Sequence, residues 1–365
     1  MRPSRSIDGF VGGLACACAL ALMACAGSTS VTGGGKDGST SGAGGGTGGE
    51  PVSGQGGSAA GTGGARVTGA GGARTGAGGS TSGAGGGSTT VTDGGSTSGC
   101  TVGAWPAADP SVTGPFATTT ENNVGPAAGQ GADGGAPVAF TLFRPTDLAQ
   151  GGLCHPVITW GNGTGTSPSI YRILLTHLAS HGFVVIASNS PNVAQGNPPP
   201  MVAGVTWVLQ QNADPTSVMY QRIDTTHVGA TGHSQGGFAT TTAGQDSHIL
   251  TIAPIAGATA TRNLHGPALL LCGGMDTTVP CSTVMNAFTG ITNQPVMLAD
   301  QLAATHGGWV SFRAGMLNPY EVAVTAWMRV QLMGDTSLRS MFYGPTCTLC
   351  TNTAVWSVMQ KMMDQ

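Results

Sequence analysis

The sequence predicts an α/β domain with a mostly parallel central sheet and helices on both faces. Three observations carry this. Between residue 105 and the C-terminus, short β-branched runs alternate with longer amphipathic stretches. Several of the short runs are apolar throughout, as strands covered on both faces are. The stretches between them are long enough to be helical crossovers, which parallel neighbours require.

Taken in order, VAFTLFRP (138–145) and HPVITWG (155–161) read as strands, the second ended by glycine. SIYRILLTHLASHG follows as a helix, with Ile170, Leu174, Leu175 and Leu178 on one face and Gly182 as its stop. FVVIASN (183–189) is the next strand and MVAGVTWVLQQN (201–212) the next helix. HVGATG (227–232) is a strand, GFATTTAGQ (237–245) a helix, and LTIAPIAG (250–257) and PALLLCGG (267–274) are strands. A helix near VPCSTVMNAFTG, a strand near QPVMLAD and a last helix at PYEVAVTAWMRVQLMG complete the series.

The first quarter of the chain has another character. Residues 1–24 carry two arginines and then an apolar run from Phe10 that is too short for a membrane span, as in an export signal. Leu22, Met23, Ala24 and Cys25 resemble a bacterial lipobox, with Cys25 the lipidated residue; Cys16 and Cys18 lack a leucine three positions upstream. Residues 25–104 are dominated by Gly, Ser, Thr and Ala and have too few large apolar side chains to offset the entropy of ordering. They are expected to form a disordered tether, and about 70 residues of such coil span roughly 45–50 Å. The domain limits that follow are a signal at 1–24, a linker at 25–104 and a catalytic domain at 105–365.

A net charge of −3, with 13 basic and 16 acidic residues and no basic run, argues against a nucleic-acid partner. Six cysteines follow Cys25, namely Cys100, Cys154, Cys272, Cys281, Cys347 and Cys350. An even number in an exported chain points to disulfides, with 15 possible pairings. Cys347-x-x-Cys350 lacks the second ligand pair a zinc site needs and the βαβ start of a redox motif.

The chemistry centres on Gly232-His233-Ser234-Gln235-Gly236, a G-x-S-x-G pattern set between a strand and a helix. Such an elbow forces the serine into a strained turn that small flanks alone permit, and it exposes the hydroxyl beside the first N–H groups of the helix. The tether contains similar patterns, but only this one has a strand before it and a helix after it. A serine hydroxyl needs a histidine to take its proton and a carboxylate to orient that histidine. In α/β-hydrolases these follow in the order serine, acid, histidine. Asp276, just past the apolar strand LLLCGG, is the acid; Asp300 is the reserve. His306, between Thr305 and a Gly-Gly pair, is the sole histidine after Asp276. His177, His181 and His227 fall on a helix or strand, His233 supports the elbow, and His155, His248 and His265 read as surface or loop residues. The glycine-rich TWGNGTG (159–165) is the second source of oxyanion donors, so the N–H groups of Asn162 and Gln235 are assigned to the oxyanion hole. Trp160 and Tyr171 are candidate apolar walls for the acyl group, or else part of the core.

From about Gly114 to Tyr343 the chain resembles the α/β-hydrolase family of bacterial polyester hydrolases. These are the cutinase-like and poly(ethylene terephthalate) hydrolase-like enzymes, with the platelet-activating-factor acetylhydrolase and chlorophyllase type nearby. The stretches that carry the resemblance are TGPFATTT, LASHGFVVIASNS, RIDTTHVGATGHSQGG, GGMDTTVP, THGGW and AWMRVQLMGDTSLRSMF. The spacings, 42 residues from Ser234 to Asp276 and 30 from Asp276 to His306, are close to the family pattern. The resemblance implies the α/β-hydrolase fold. Two departures bear on substrate: Gln235 stands where polyester-active members carry Met, and Ile255 stands where they carry Trp. Cys272 and Cys281 flank Asp276 and are candidates to brace its loop as a disulfide. The segment after Tyr343 departs from the shorter enzymes and receives no role.

The expectation is a serine carboxylic ester hydrolase working through an acyl-enzyme, without metal or organic cofactor. It would be a monomer tethered in the cell envelope by a lipid anchor, or else secreted. The alternatives are the same fold cleaving acetyl esters, lactones or amides, and a non-catalytic surface-binding lipoprotein.

Overall fold

The structure is a computed structural model that describes residues 99–125, 139–195, 199–309 and 318–363. The expected signal, Cys25 and nearly all of the tether lie outside the described residues. One nine-stranded sheet runs β1-β2-β4-β3-β5-β6-β7-β8-β9. Its strands are β1 Thr118–Val124, β2 Phe140–Pro145, β3 His155–Gly161, β4 Val184–Ser188, β5 Ile223–His233, β6 Ile249–Ile255, β7 Ala268–Gly273, β8 Val296–Gln301 and β9 Trp356–Lys361. β4, β3, β5, β6, β7 and β8 are mutually parallel, while β2 is antiparallel to both β1 and β4, and β9 is antiparallel to β8. This is the α/β-hydrolase fold.

Every residue of β3, β4 and β7 is buried, which explains why these strands are apolar without alternation. The helices lie on both faces. α1 (Arg172–Ser180) and α5 (Pro319–Met333) pack on one through Leu174, Leu175, Leu178, Val324 and Trp327. α2 (Pro200–Ala213), α3 (Gln235–Ala243) and α4 (Cys281–Gly290) pack on the other through Val205, Val208, Ala239, Val284 and Phe288. Each large aliphatic side chain so covered contributes about 1.5–3 kcal/mol.

One expected boundary shifts. Cys100 to Ala104 fall in the expected linker, yet the chain is already fastened there. Cys100 is disulfide-bonded to Cys154, the Cys100 N–H donates to the Gln221 carbonyl at 3.1 Å, and the Cys154 N–H donates to the Thr101 carbonyl at 2.8 Å. The domain therefore starts at about Cys100. At the other end, the segment after Tyr343 is structural: a short helix, α6 (Thr348–Thr351), holds the Cys347–Cys350 disulfide, and β9 closes the edge of β8. Lys361 of β9 donates to the carbonyls of Phe288 and Ile291 at the end of α4, where a cation is favoured.

The strand order reverses about β3, and the crevice beyond the C-terminal ends of the strands at such a point is where ligands gather in open α/β sheets.

Candidate active site

Ser234 joins β5 to α3 with φ 57° and ψ −119°, a left-handed conformation that costs a non-glycine residue on the order of 1–3 kcal/mol. The neighbouring strand and the new helix hold it there. Its N–H donates to the Ile255 carbonyl at 2.9 Å, and its carbonyl accepts from Gly237 and Phe238 at 2.8 and 3.2 Å. The flanking glycines are required by Gly161 at the end of β3: a Cβ on Gly236 would run into the Gly161 carbonyl, and one on Gly232 into the carbonyls of both Gly161 and Gly236. Gln235 is the first residue of α3, so its N–H has no acceptor within the helix.

The acid and the histidine come from the ends of β7 and β8. Asp276 is buried, and its Oδ1 accepts from the Thr278 and Val279 N–H groups, both at 2.9 Å. That leaves Oδ2 for His306 Nδ1 at 2.7 Å, while His306 Nε2 lies 2.9 Å from Ser234 Oγ. Since a carboxylate only accepts, Nδ1 carries the proton and Nε2 faces the hydroxyl as acceptor. The Met275 N–H donates to the Ala304 carbonyl at 3.0 Å, tying the two loops together, and the Cys272–Cys281 disulfide spans the Asp276 loop. Asp300, the reserve acid, makes no hydrogen bond to His306. Its Oδ1 has no partner among the described residues, and burial raises its pKa.

On the β3 side, the Asn162 side chain is fully buried and clamps two loops, donating to the Ser188 and Ser190 carbonyls at 2.6 and 3.3 Å and accepting from the Trp160 indole at 3.1 Å. The Asn162 side chain is therefore spent, which leaves its main-chain N–H for a ligand, while the N–H of Gly163 is already donated to Tyr171 Oη at 3.1 Å. The Gln235 side chain accepts from the Val193 N–H at 3.2 Å, which fastens the 189–193 loop to the elbow.

Of the two roles open to Trp160 and Tyr171, the structure gives the core, and Ile255, expected to bear on substrate, is covered as well. Trp160 is 1% exposed, Ile255 0% and Tyr171 5%, and all three sit in the core cluster beneath the site. A residue so covered supports a pocket without facing its contents. Among the described residues, exposed apolar side chains near the site are Met275, next to Asp276, Leu302, whose main chain packs on Gly274, and Ile170, next to Tyr171.

Residues 105–358 match the family described as PETase, PET hydrolase-like. The chain belongs to this family. It is also similar to the chloroplastic chlorophyllase-1 of Citrus unshiu and of Citrus sinensis, 28% identical to each over 149 residues, or 37% of this chain. The matched part spans 43% of the length of those relatives. The family and these relatives support a hydrolase acting on esters.

Within this PET hydrolase-like chain the other histidines are mostly structural. His155, expected at the surface or in a loop, is fully buried at the start of β3, with its two ring nitrogens 2.6 and 3.2 Å from the Gly182 and Leu148 carbonyls. His177 of α1 and His181, which caps its C-terminus, donate through Nε2 to the carbonyls of Pro110 and Val112. His248 and His265 are exposed, and His227 pairs with Asp224 at 2.7 Å. His233 is buried in the elbow, 3.0 Å from Tyr171 Oη and 3.1 Å from the His306 carbonyl. Sequence reasoning missed this linkage because its members lie 62 and 73 residues apart. Among the described residues, Cys272, Cys281 and Asp300 place potential metal-ligating atoms within 4.8 Å of one another, but both sulfurs are spent in the disulfide.

Proposed function

We propose that the protein is a serine carboxylic ester hydrolase. The observation that carries the reading is the continuous line from Asp276 Oδ2 through His306 to Ser234 Oγ, at 2.7 and 2.9 Å. In this mechanism His306 Nε2 takes the Ser234 proton as Oγ attacks the ester carbonyl, and Asp276 holds the tautomer and stabilises the imidazolium. The main-chain N–H groups of Gln235 and Asn162 hold the developing oxyanion. His306 then gives its proton to the departing alcohol, leaving an acyl-Ser234. A water deprotonated by His306 attacks the acyl carbon, the acid leaves, and Oγ recovers its proton.

Family membership and the chlorophyllase likeness favour an ester with a sizeable apolar part, and exposed Met275, Leu302 and Ile170 offer it an apolar rim. With Gln235 beside Ser234 and Ile255 buried in the core where the family's polyester-active members carry Trp, the site lacks an aromatic platform there, and aliphatic acyl groups are favoured over aromatic polyester. We further propose a monomer held in the cell envelope by lipid on Cys25, with the Gly-rich segment as its tether.

The test is turnover of p-nitrophenyl esters from acetyl to dodecanoyl by wild type and Ser234→Ala. Hydrolysis by the wild type, with an optimum beyond acetyl, and its loss by about 10⁴-fold or more in the variant is the expected result. A folded wild type inactive on every ester would remove the reading.

A further inference from the structure

Four polar groups that the ester chemistry does not consume run in a line behind the nucleophile. The Gly163 N–H lies 3.1 Å from Tyr171 Oη, Tyr171 Oη 3.0 Å from His233 Nδ1, and His233 Nε2 3.1 Å from the main-chain oxygen of His306. Chemistry fixes which of them donate. A carbonyl oxygen only accepts, so Nε2 carries a proton. His233 is 6% exposed, with its ring centroid 4.9 Å from that of His306. Burial first, and the neighbouring imidazole second, push its pKa down to about 4, so it is neutral near pH 7. Nδ1 is therefore an acceptor, the Tyr171 hydroxyl donates to it, and the tyrosine oxygen is left to accept the Gly163 N–H. Each group has a partner, and the direction runs one way from Gly163 to His306.

We propose that Tyr171 and His233 are positioning residues that couple the oxyanion loop to the histidine loop, so that both are held against Ser234 together. The inference rests on the serine-esterase reading. Gly163 is the contact point on one side: a Cβ there would lie 2.8 Å from Tyr171 Oη and 3.6 Å from Ser234 Cβ. Any shift of the tyrosine hydroxyl is thus passed to the loop that carries the oxyanion donors. On the other side His306 is held twice, by Asp276 through its ring and by His233 through its main chain. His233 adjoins Ser234 in sequence, so the strained elbow is the bridge between the two loops. Tyr171 is itself seated by the Trp160 ring, 4.8 Å away between centroids. Misplacement by about 1 Å in such an arrangement costs on the order of 10²-fold in rate.

The test uses the full-length enzyme with Tyr171→Phe, His233→Gln and the double variant. The readouts are kcat and KM on p-nitrophenyl butyrate, the rate of inactivation by a p-nitrophenyl phosphonate, and Tm. Tyr171→Phe removes one oxygen from an otherwise unchanged core ring, so it tests the linkage even where His233→Gln fails to fold. The expected result is a fall of about 10- to 30-fold in both kcat and phosphonylation rate, with KM within about twofold. The double variant should be no more than about threefold below the weaker single, because the groups act as a unit. A Tyr171→Phe enzyme with kcat within twofold of wild type, or single losses that multiply in the double variant, would overturn the coupling and leave the esterase reading standing. A wild type without esterase turnover would overturn both.

Discussion

Ser234 is where the sequence states its chemistry most openly, and its backbone is strained. At φ 57° its cost belongs to any residue with a Cβ, so the two substitutions that remove the hydroxyl should differ. Ser234→Ala keeps the strain; Ser234→Gly releases it. Chemical denaturation should find the glycine variant about 1 kcal/mol more stable than the alanine variant, with both inactive. Equal stability, or a less stable glycine variant, would mean that the elbow is unstrained. Ser234, Asp276 and His306 are legible as residue types in order, because the proposed chemistry demands them. Gly161 is not legible in the same way: its role is to let Gly232 and Gly236 approach, a constraint between strands that no local pattern records. Trp160 and Ile255 went the other way, since an aromatic or branched side chain at a strand end looks the same in sequence whether it faces a ligand or the core.

Among the elements, the strands buried on both faces are the easiest to read and the edges the hardest. β3, β4 and β7 announce themselves as apolar runs. β1 reads TTTENNV and is nowhere fully buried, so its pairing with β2 leaves little trace in its residues. β9 is half exposed and pairs with a strand some 60 positions earlier. The segment before β1 likewise leaves little trace until His177 of α1 and His181 at its C-cap are seen to donate to the Pro110 and Val112 carbonyls. That contact has a pH signature. Burial first, then the His177 charge, lowers the His181 pKa to about 4, with Arg329 opposing and Asp109 favouring protonation. The unfolded imidazole takes its proton near pH 6.5, so below that pH unfolding takes up protons. The stability from neutral His181 is complete above pH 6.5 and is lost as pH falls towards 4, by up to about 3 kcal/mol. Urea midpoints measured from pH 7 to 4.5 should fall, and His181→Gln should flatten that slope; an unchanged slope in the variant would remove His181 as its source.

At the scale of the whole molecule, a PET hydrolase-like domain is stapled at three places, and each staple serves a different part. Cys100–Cys154 fixes the entering chain to the start of β3, Cys272–Cys281 spans the acid loop, and Cys347–Cys350 closes the turn into β9. The site lies where strands distant in sequence end side by side, which is why the parts were readable singly while their linkage was not.

In the proposed mechanism Ser234 is a nucleophile activated by His306 and Asp276. Covalent labelling tests it without knowledge of the natural substrate. The full-length protein is incubated with a fluorophosphonate, and the adduct is located by peptide mass mapping in wild type, Ser234→Ala and Asp276→Asn. One adduct on Ser234, absent from the alanine variant and slowed about 10³-fold or more in the asparagine variant, is the result predicted. A folded wild type that leaves Ser234 unlabelled, or that carries the label on another residue, would contradict it.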